Sequence, residues 1–439
     1  MLRMNTFGLV CSVCLAACQA ESPWPQFRGP NGQGISTETN LPLKWDETTG
    51  ILWKTPISGG TGCSSPVVAE GKVWLTSATE IEASPQQRKA KLAGTMLADQ
   101  KLVARAITLW LIEIDLATGN VDRKVKLIEV EDPQPIHSLN SYASPTPVWE
   151  NGRIYCHFGD YGTVCYDSRA DSILWKTRLP LDHRVGPGSS PILYENLLIL
   201  TCDGADQQYI SAIDKDTGYA VWRQDRPSIR QTNGEFRKSY STPLVIEVAG
   251  NDQMIIPGAQ WCIAYEPLTG KEIWRVDHGE GFSLVPRPVF DGDYVFICTG
   301  YPKAHLLAIR PDGSGDVTKS HLGWEHSKQI PTIPSPLVVE GCVFTVNDAG
   351  IAICVDAATG VEHWRKRFPG KYASSPLYCE GRIYACNQNG LTTVFAAGDE
   401  FDLLAENQIK GSLMASPVPV DSTLLLRSVS HLYRIGKQR

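Results

Sequence analysis

The side chains of this chain that can carry chemistry are thinly spread. Nine histidines and thirteen cysteines occur in 439 residues, but no Ser-His-Asp or Cys-His grouping follows from their spacing, and no catalytic residue is assigned. His321 and His326 lie close together beside Trp324 without a third or fourth ligand in register, so no metal site is assigned either. The stretch Asp312-Gly313-Ser314-Gly315-Asp316 offers oxygen ligands to a calcium ion, yet it reads first as an acidic hairpin loop. What remains is a set of polar and aromatic residues suited to binding. His137, Asn140, Tyr142, His183, Arg184, Lys238, Tyr240, Arg287, Lys328, Lys371 and Tyr372 all fall in loops that lead into strand-like runs, and Trp261 and Tyr301 fall in turns further along such runs. Tyr, Trp and Arg dominate the energetics of protein interfaces, so these side chains fit a peptide or an extended strand of a partner protein. Arg287 stands where comparable segments carry Ser, Ala or Thr. It is expected to pair with a carboxylate or to hold an anion.

The N-terminus carries its own signal. A single Arg3 precedes a short apolar stretch over 7–17, too brief to span a bilayer, which is the pattern of a secretory signal peptide. Leu15-Ala16-Ala17-Cys18 resembles the bacterial lipobox, which implies lipidation of Cys18 after removal of residues 1–17. The neutral Gln19 then favours the outer membrane, facing the periplasm, and residues 18–44 read as a tether. The later cysteines sit in apolar strand-like runs and act there as small hydrophobes. Cys156 and Cys165 flank a hairpin turn, so a cross-strand disulfide is open to them in an oxidising compartment, although connectivity cannot be read from sequence. The one Cys-x-x-Cys, at Cys11 and Cys14, is followed by Leu15 rather than His and attaches no haem.

The elements that must position the binding candidates follow from repetition. A Ser/Thr-Pro step followed by alternating apolar residues recurs at Pro66, Pro145, Pro191, Pro243, Pro336, Pro376 and Pro417, with a degenerate copy at Pro288. Apart from one 79-residue gap these prolines lie 40–52 residues apart, the period of a propeller blade. A second element, an acid followed by Thr-Gly and a Trp, precedes most copies and places Trp175, Trp222, Trp274, Trp324 and Trp364 on outer strands, where they pack between neighbouring blades. The last copy has only three strands before the chain ends, and the isolated turn-plus-Trp element at Asp46 to Trp53 can supply the fourth. The expected fold is therefore all-β: an eight-bladed propeller of four-stranded antiparallel blades over 45–439, closed by an N-terminal strand. The long gap holds an insertion at about 82–105, in which Ser84-Pro85 opens a helix and Leu92, Met96, Leu97 and Val103 give an apolar stripe. With 42% hydrophobic residues, 38 Gly and 29 Pro, disorder and long-helix architectures are excluded, and a net charge of −6 without basic runs argues against nucleic acid.

These repeats resemble the pyrroloquinoline-quinone-like propeller family, most clearly at Asp214 to Trp222, Glu266 to Trp274 and Asp356 to Trp364. The motif departs at Asp171, which stands for Gly, at Arg123, which stands for Trp, and at 396–404, where it is nearly lost. Two branches are implied. Quinoprotein dehydrogenases hold the quinone with calcium and a pair of adjacent cysteines, and no two cysteines are adjacent here. The BamB-like assembly lipoproteins hold no cofactor and bind protein partners, and the lipobox matches them. The opening Trp24-Pro25-Gln26-Phe27-Arg28-Gly29-Pro30 is similar to a segment of bacterial propeller proteins without an assigned role. The resemblance implies a cofactor-free, monomeric envelope scaffold that acts on envelope proteins, with outer-membrane protein assembly as the sharper expectation; a quinone-binding redox protein and a carbohydrate- or cell-surface-binding propeller are the alternatives.

Overall fold

Short runs of alternating apolar residues between Gly-bearing turns leave the chain little choice but antiparallel meanders, and the computed structural model, which describes residues 23–57 and 61–437, contains eight. Blade one is built from Val67–Ala69, Lys72–Glu82, Ala104–Asp115 and Val121–Glu131, running from the channel outward. Blades two to seven follow in chain order. Blade eight combines Val418–Val420, Thr423–Arg427 and His431–Ile435 with Ile51–Pro56, which pairs antiparallel to its third strand and closes the ring as expected. Two sheets gain a fifth, parallel strand: Gly315–Asp316 beside the outer strand of blade four, and Ile35–Ser36 beside the inner strand of blade seven.

The core is a ring of inter-blade interfaces. Seven clusters of buried apolar side chains each join adjacent blades, and the largest joins blades seven, eight and one with Trp24, Leu41 and Trp45. The motif tryptophans lie in these interfaces, and their docking explains the Gly four residues after the acid. Trp53, Trp175, Trp324 and Trp364 each donate the indole N–H to a carbonyl of the next blade, at Leu116, Lys215, Ala357 and Gly398, over 2.9–3.0 Å. A Cβ on Gly119, Gly218, Gly270 or Gly360 would fall 2.5–2.7 Å from the ring of Trp53, Trp175, Trp222 or Trp324. Trp274 departs from the pattern. It bonds Gln253 of its own blade, because the loop of blade five folds back as Gly315–Asp316 against it.

Three expectations are corrected. Cys156 and Cys165 are both free; Cys165 pairs with Tyr155 and Cys156 with Val164, so the thiols leave opposite faces of the blade and enter different interfaces. The insertion helix, Pro85–Leu92, has the expected Ser84 cap, reinforced by Gln87 as a capping box, but it stops before Met96 and Leu97, and only Leu92 on it is buried. The flanking strands pair right up to the insertion, out to Glu82 and Ala104. From Trp24 onward, the segment read as a tether is packed against the propeller. Trp24 exchanges backbone bonds with Val68, Pro25 accepts from Trp149, Gly34 accepts from Tyr378, and Cys379 donates to Glu38. All four contacts lie toward the turn ends of inner strands, so residues 24–38 cross one end of the channel. Cys18 and the signal sequence lie outside the described residues.

Candidate functional site

The inner strands begin directly after a Ser/Thr-Pro step, which in blade two is Thr146-Pro147 and not the expected Ser144-Pro145, and this brings the hydroxyls of that step together around the axis. Backbone N–H groups of Ser65, Thr146, Ser190, Arg287, Ser335, Ser375 and Ser416 donate to the hydroxyls of Thr146, Ser190, Thr242, Ser335, Ser375, Ser416 and Ser65 respectively, at 2.9–3.1 Å. The circle is interrupted between Thr242 and residue 287. There the arginine has no short hydroxyl to offer, and its guanidinium donates instead to Pro243 O at 3.0 Å and to Phe27 O at 2.6 Å. Among the described residues Arg287 pairs with no carboxylate; it ties the crossing segment to blade five. Arg28 acts alike, donating to Gln33 O and Pro336 O at 2.5 and 2.6 Å. Burial, and for Arg28 the neighbouring Arg287, lowers both guanidinium groups to about 9.

Above this ring the channel opens into a cavity of about 420 Å³, with Phe27 at its closed end. That size lies within the usual range of small-molecule sites. Of the binding residues expected from sequence, His137, Asn140, Lys238, Tyr240 and Tyr301 line it. The others serve elsewhere. Tyr142 is buried and bonds Gln134 O at 3.1 Å; His183 is buried and accepts from Asp160 N at 3.1 Å. Tyr372 is buried in the interface of blades six and seven, and Trp261 donates to Ser228 O at 3.1 Å beneath Arg275. Arg184 is half-buried beside Asp182, while Lys328 and Lys371 are exposed. Loop residues that look like a solvated rim are in large part interior struts, because these loops fold over one another to close the blade ends.

Sequence reasoning missed the residues that give the cavity its character. The insertion returns through Leu97, in left-handed backbone at φ 54°, and a short helical turn to the strand Lys101–Leu102, which pairs with Ile136–His137. This delivers Lys101 to the cavity wall next to His137. Glu235 and Phe236, on a turn capped by Asn233, come from the opposite side. Lys238 donates to the Glu235 carboxylate and carbonyl, both at 2.7 Å, and lies 5.9 Å from the Phe282 ring. His137 receives Leu139 N–H at Nδ1 and reaches Gln100 through Nε2, each over 3.0 Å; burial first, then Lys101 and Lys238, lower its pKa. The imidazole is neutral at pH 7. The one available signal for the hydroxyl circle was the repeated Ser/Thr-Pro step itself, read as a strand opener and not as a ring.

Among the described residues no group of three or more His, Cys, Asp and Glu is placed to hold a metal ion. No described helix is long and apolar enough to cross a membrane.

The family profile described as outer membrane protein assembly factor BamB matches residues 108–300 and 314–400. Among solved structures, BamB from Moraxella catarrhalis is similar with a TM-score of 0.53 and 12% identity, over 76% of this chain and 94% of that one. The quinohemoprotein alcohol dehydrogenase from Comamonas testosteroni is similar to the same degree, 0.53 at 14% identity, over 95% of this chain and 81% of that one. A europium-containing methanol dehydrogenase follows at 0.51 and 11% identity, over 94% and 98%. At these identities the likeness to solved structures concerns the fold alone. No curated protein matches the chain in sequence.

Proposed function

Because this chain belongs to the family of the outer membrane protein assembly factor BamB, we propose that it is a non-catalytic scaffold of the bacterial envelope that engages another envelope protein through the mouth of its channel. One observation carries this reading: Met96, Leu97, Leu139 and Tyr301 line the mouth and are 42–52% exposed, an apolar cluster on an otherwise polar rim. Exposed apolar side chains around an opening suit the buried centre of a protein interface. Lipidation at Cys18 and an outer-membrane location facing the periplasm belong to the same proposal, resting on the lipobox and on the family.

The quinoprotein reading fits the residues less well. Its quinone packs on a pair of adjacent cysteines that the sequence lacks. No redox step is derived for this channel.

A photocrosslinking residue in place of Leu139, compared with one at Val361, tests the scaffold. Val361 is 60% exposed and belongs to the opposite face. Adducts with outer-membrane assembly proteins from position 139 and none from 361 are expected. Equal labelling at both, or labelling at neither, would overturn the assignment of the mouth. Titration with pyrroloquinoline quinone and calcium, with dye reduction by alcohols as readout, tests the competing class; saturable binding with turnover would replace the scaffold reading.

A further inference from the structure

Lys101 is an ammonium ion that the fold leaves almost without a partner. Its side chain is 3% exposed, it makes no hydrogen bond to the described residues, and its nearest carboxylate oxygen, Glu235 Oε1, is 4.0 Å away. That carboxylate is already engaged, by Lys238 at 2.7 Å and by Arg184 at 3.6 Å. Asp182 faces Arg184 at 3.2 Å, and His137 is neutral. The groups gathered here are therefore three cations, Lys101, Lys238 and Arg184, against two carboxylates, Glu235 and Asp182. One positive charge is left over, inside a cavity where a buried charge without a counter-charge is costly. Glu80, on the strand of blade one that leads into the insertion, bonds Thr61 and does not reach Lys101 within ion-pair distance.

The same cavity is lined by Leu97, Leu139, Phe236, Phe282, Val285 and Met414. Hydrocarbon on one side and an uncompensated ammonium on the other define a complement. We propose that the channel mouth binds a small amphiphile with one anionic head group, its head set between Lys101 and Lys238 and its apolar body against Leu97, Leu139, Phe236 and Phe282. Lys101 and Leu97 arrive on the insertion, and the loops of the blades supply Lys238, Leu139, Phe236 and Phe282, so the inserted segment completes a site that the repeat alone would leave without its head-group lysine. This inference is independent of the partner-protein reading and goes beyond it.

Calorimetric titration of the full chain with decanoate, below its micelle concentration, tests the site, with decanol and inorganic phosphate as its two halves. Saturable decanoate binding at the cavity is expected, with decanol and phosphate each weaker by at least about tenfold. Lys101→Met should lose at least about tenfold in decanoate affinity, whereas Lys89→Met, an exposed lysine on the insertion helix, should lose none. Lys101→Met removes a buried charge whose one ion-pair contact is 4.0 Å long, so its thermal midpoint should stay unchanged or rise, and lost binding is distinguishable from lost folding. Equal affinity for decanoate and decanol overturns the proposal in the wild-type chain alone, as does phosphate binding as tightly as decanoate, or undiminished binding by Lys101→Met.

Discussion

Arg123 of blade one and Asp171 of blade two approach to 3.4 Å at the position where other blades dock a tryptophan beneath a glycine. Both departures from the repeat motif occur at the same interface, and they compensate. Arg123 also meets the buried carboxylate of Glu113 and donates to Tyr166 OH at 3.1 Å, while Asp171 accepts from the same phenol. A polar clasp has replaced ring stacking. Arg123→Trp alone should be strongly destabilising, because it drives an indole against Asp171 and strands Glu113. Adding Asp171→Gly should recover about 0.5–3 kcal/mol, the range of coupling between touching residues, without restoring wild-type stability. Urea denaturation of the four-member cycle measures it, and strict additivity would show that the two positions are unrelated.

The tight glycines separate sterics from backbone conformation. Gly360 and Gly381 have nearly the same φ, 72° and 71°, but a Cβ at 360 would lie 2.6 Å from the Trp324 ring, whereas one at 381 meets nothing within 4 Å. Gly360→Ala should therefore cost about 1–3 kcal/mol more than Gly381→Ala, the penalty of overpacking. A difference near zero in denaturation midpoints would mean that the indole shifts freely.

Acid should weaken the propeller before its carboxylates titrate. Burial lowers His157 to about 3, His183 to about 4 and His278 to about 4, with His183 adding to the effect on His157. The unfolded chain binds protons on these imidazoles from about pH 6.5 downward while the folded chain does not, so stability falls as pH drops from there toward 4. Each neutral imidazole contributes a slope of up to about 1.4 kcal/mol per pH unit. Asp348, raised by burial, acts in the opposite sense, which makes the difference between wild type and His157→Gln the cleaner observable. The variant should lose less stability than wild type between pH 6.5 and pH 4.5; equal losses would show that His157 accepts its proton in the folded state.

The crossing segment should be needed to keep one end of the channel shut. Arg28 is 2% exposed, and Arg28→Met leaves the carbonyls of Gln33 and Pro336 without their donor. A loss of about 2–3 kcal/mol is expected for charge-assisted bonds of this kind. In a chain starting at Lys44, Cys379 loses the Glu38 carbonyl that covers it. Its thiol, which burial pushes up to about 12, should return toward its ordinary value and react with a maleimide under native conditions. An unreactive Cys379 in that truncated chain would show that the segment is not its cover.

Sequence period was enough for the blades, their number and the closing strand, because a Ser/Thr-Pro step and an acid-to-Trp step each recur at propeller spacing. It was not enough for the site. Tyr142, His183 and Tyr372 carry the same residue types whether they reach into solvent or brace a neighbouring loop, and only the folding of one loop over another decides between these roles. Lys101 falls within the inserted segment, and its place in the channel depends on two residues of strand pairing with Ile136–His137, too short to leave a periodic trace. The coupling of Arg123 to Asp171 was visible as two separate irregularities, and their relation needed the register of adjacent blades.

The crossing segment also sets an orientation. Trp24 is already bonded to Val68 at the closed end of the channel, and six peptide units from Cys18 span at most about 20 Å when fully extended. A propeller held by a lipid on Cys18 is therefore on a short leash, with its plugged end drawn toward the bilayer and the mouth turned away from it. In a chain lipidated at Cys18, whatever enters that mouth would come from the aqueous side, and an amphiphile bound there would already have left the membrane.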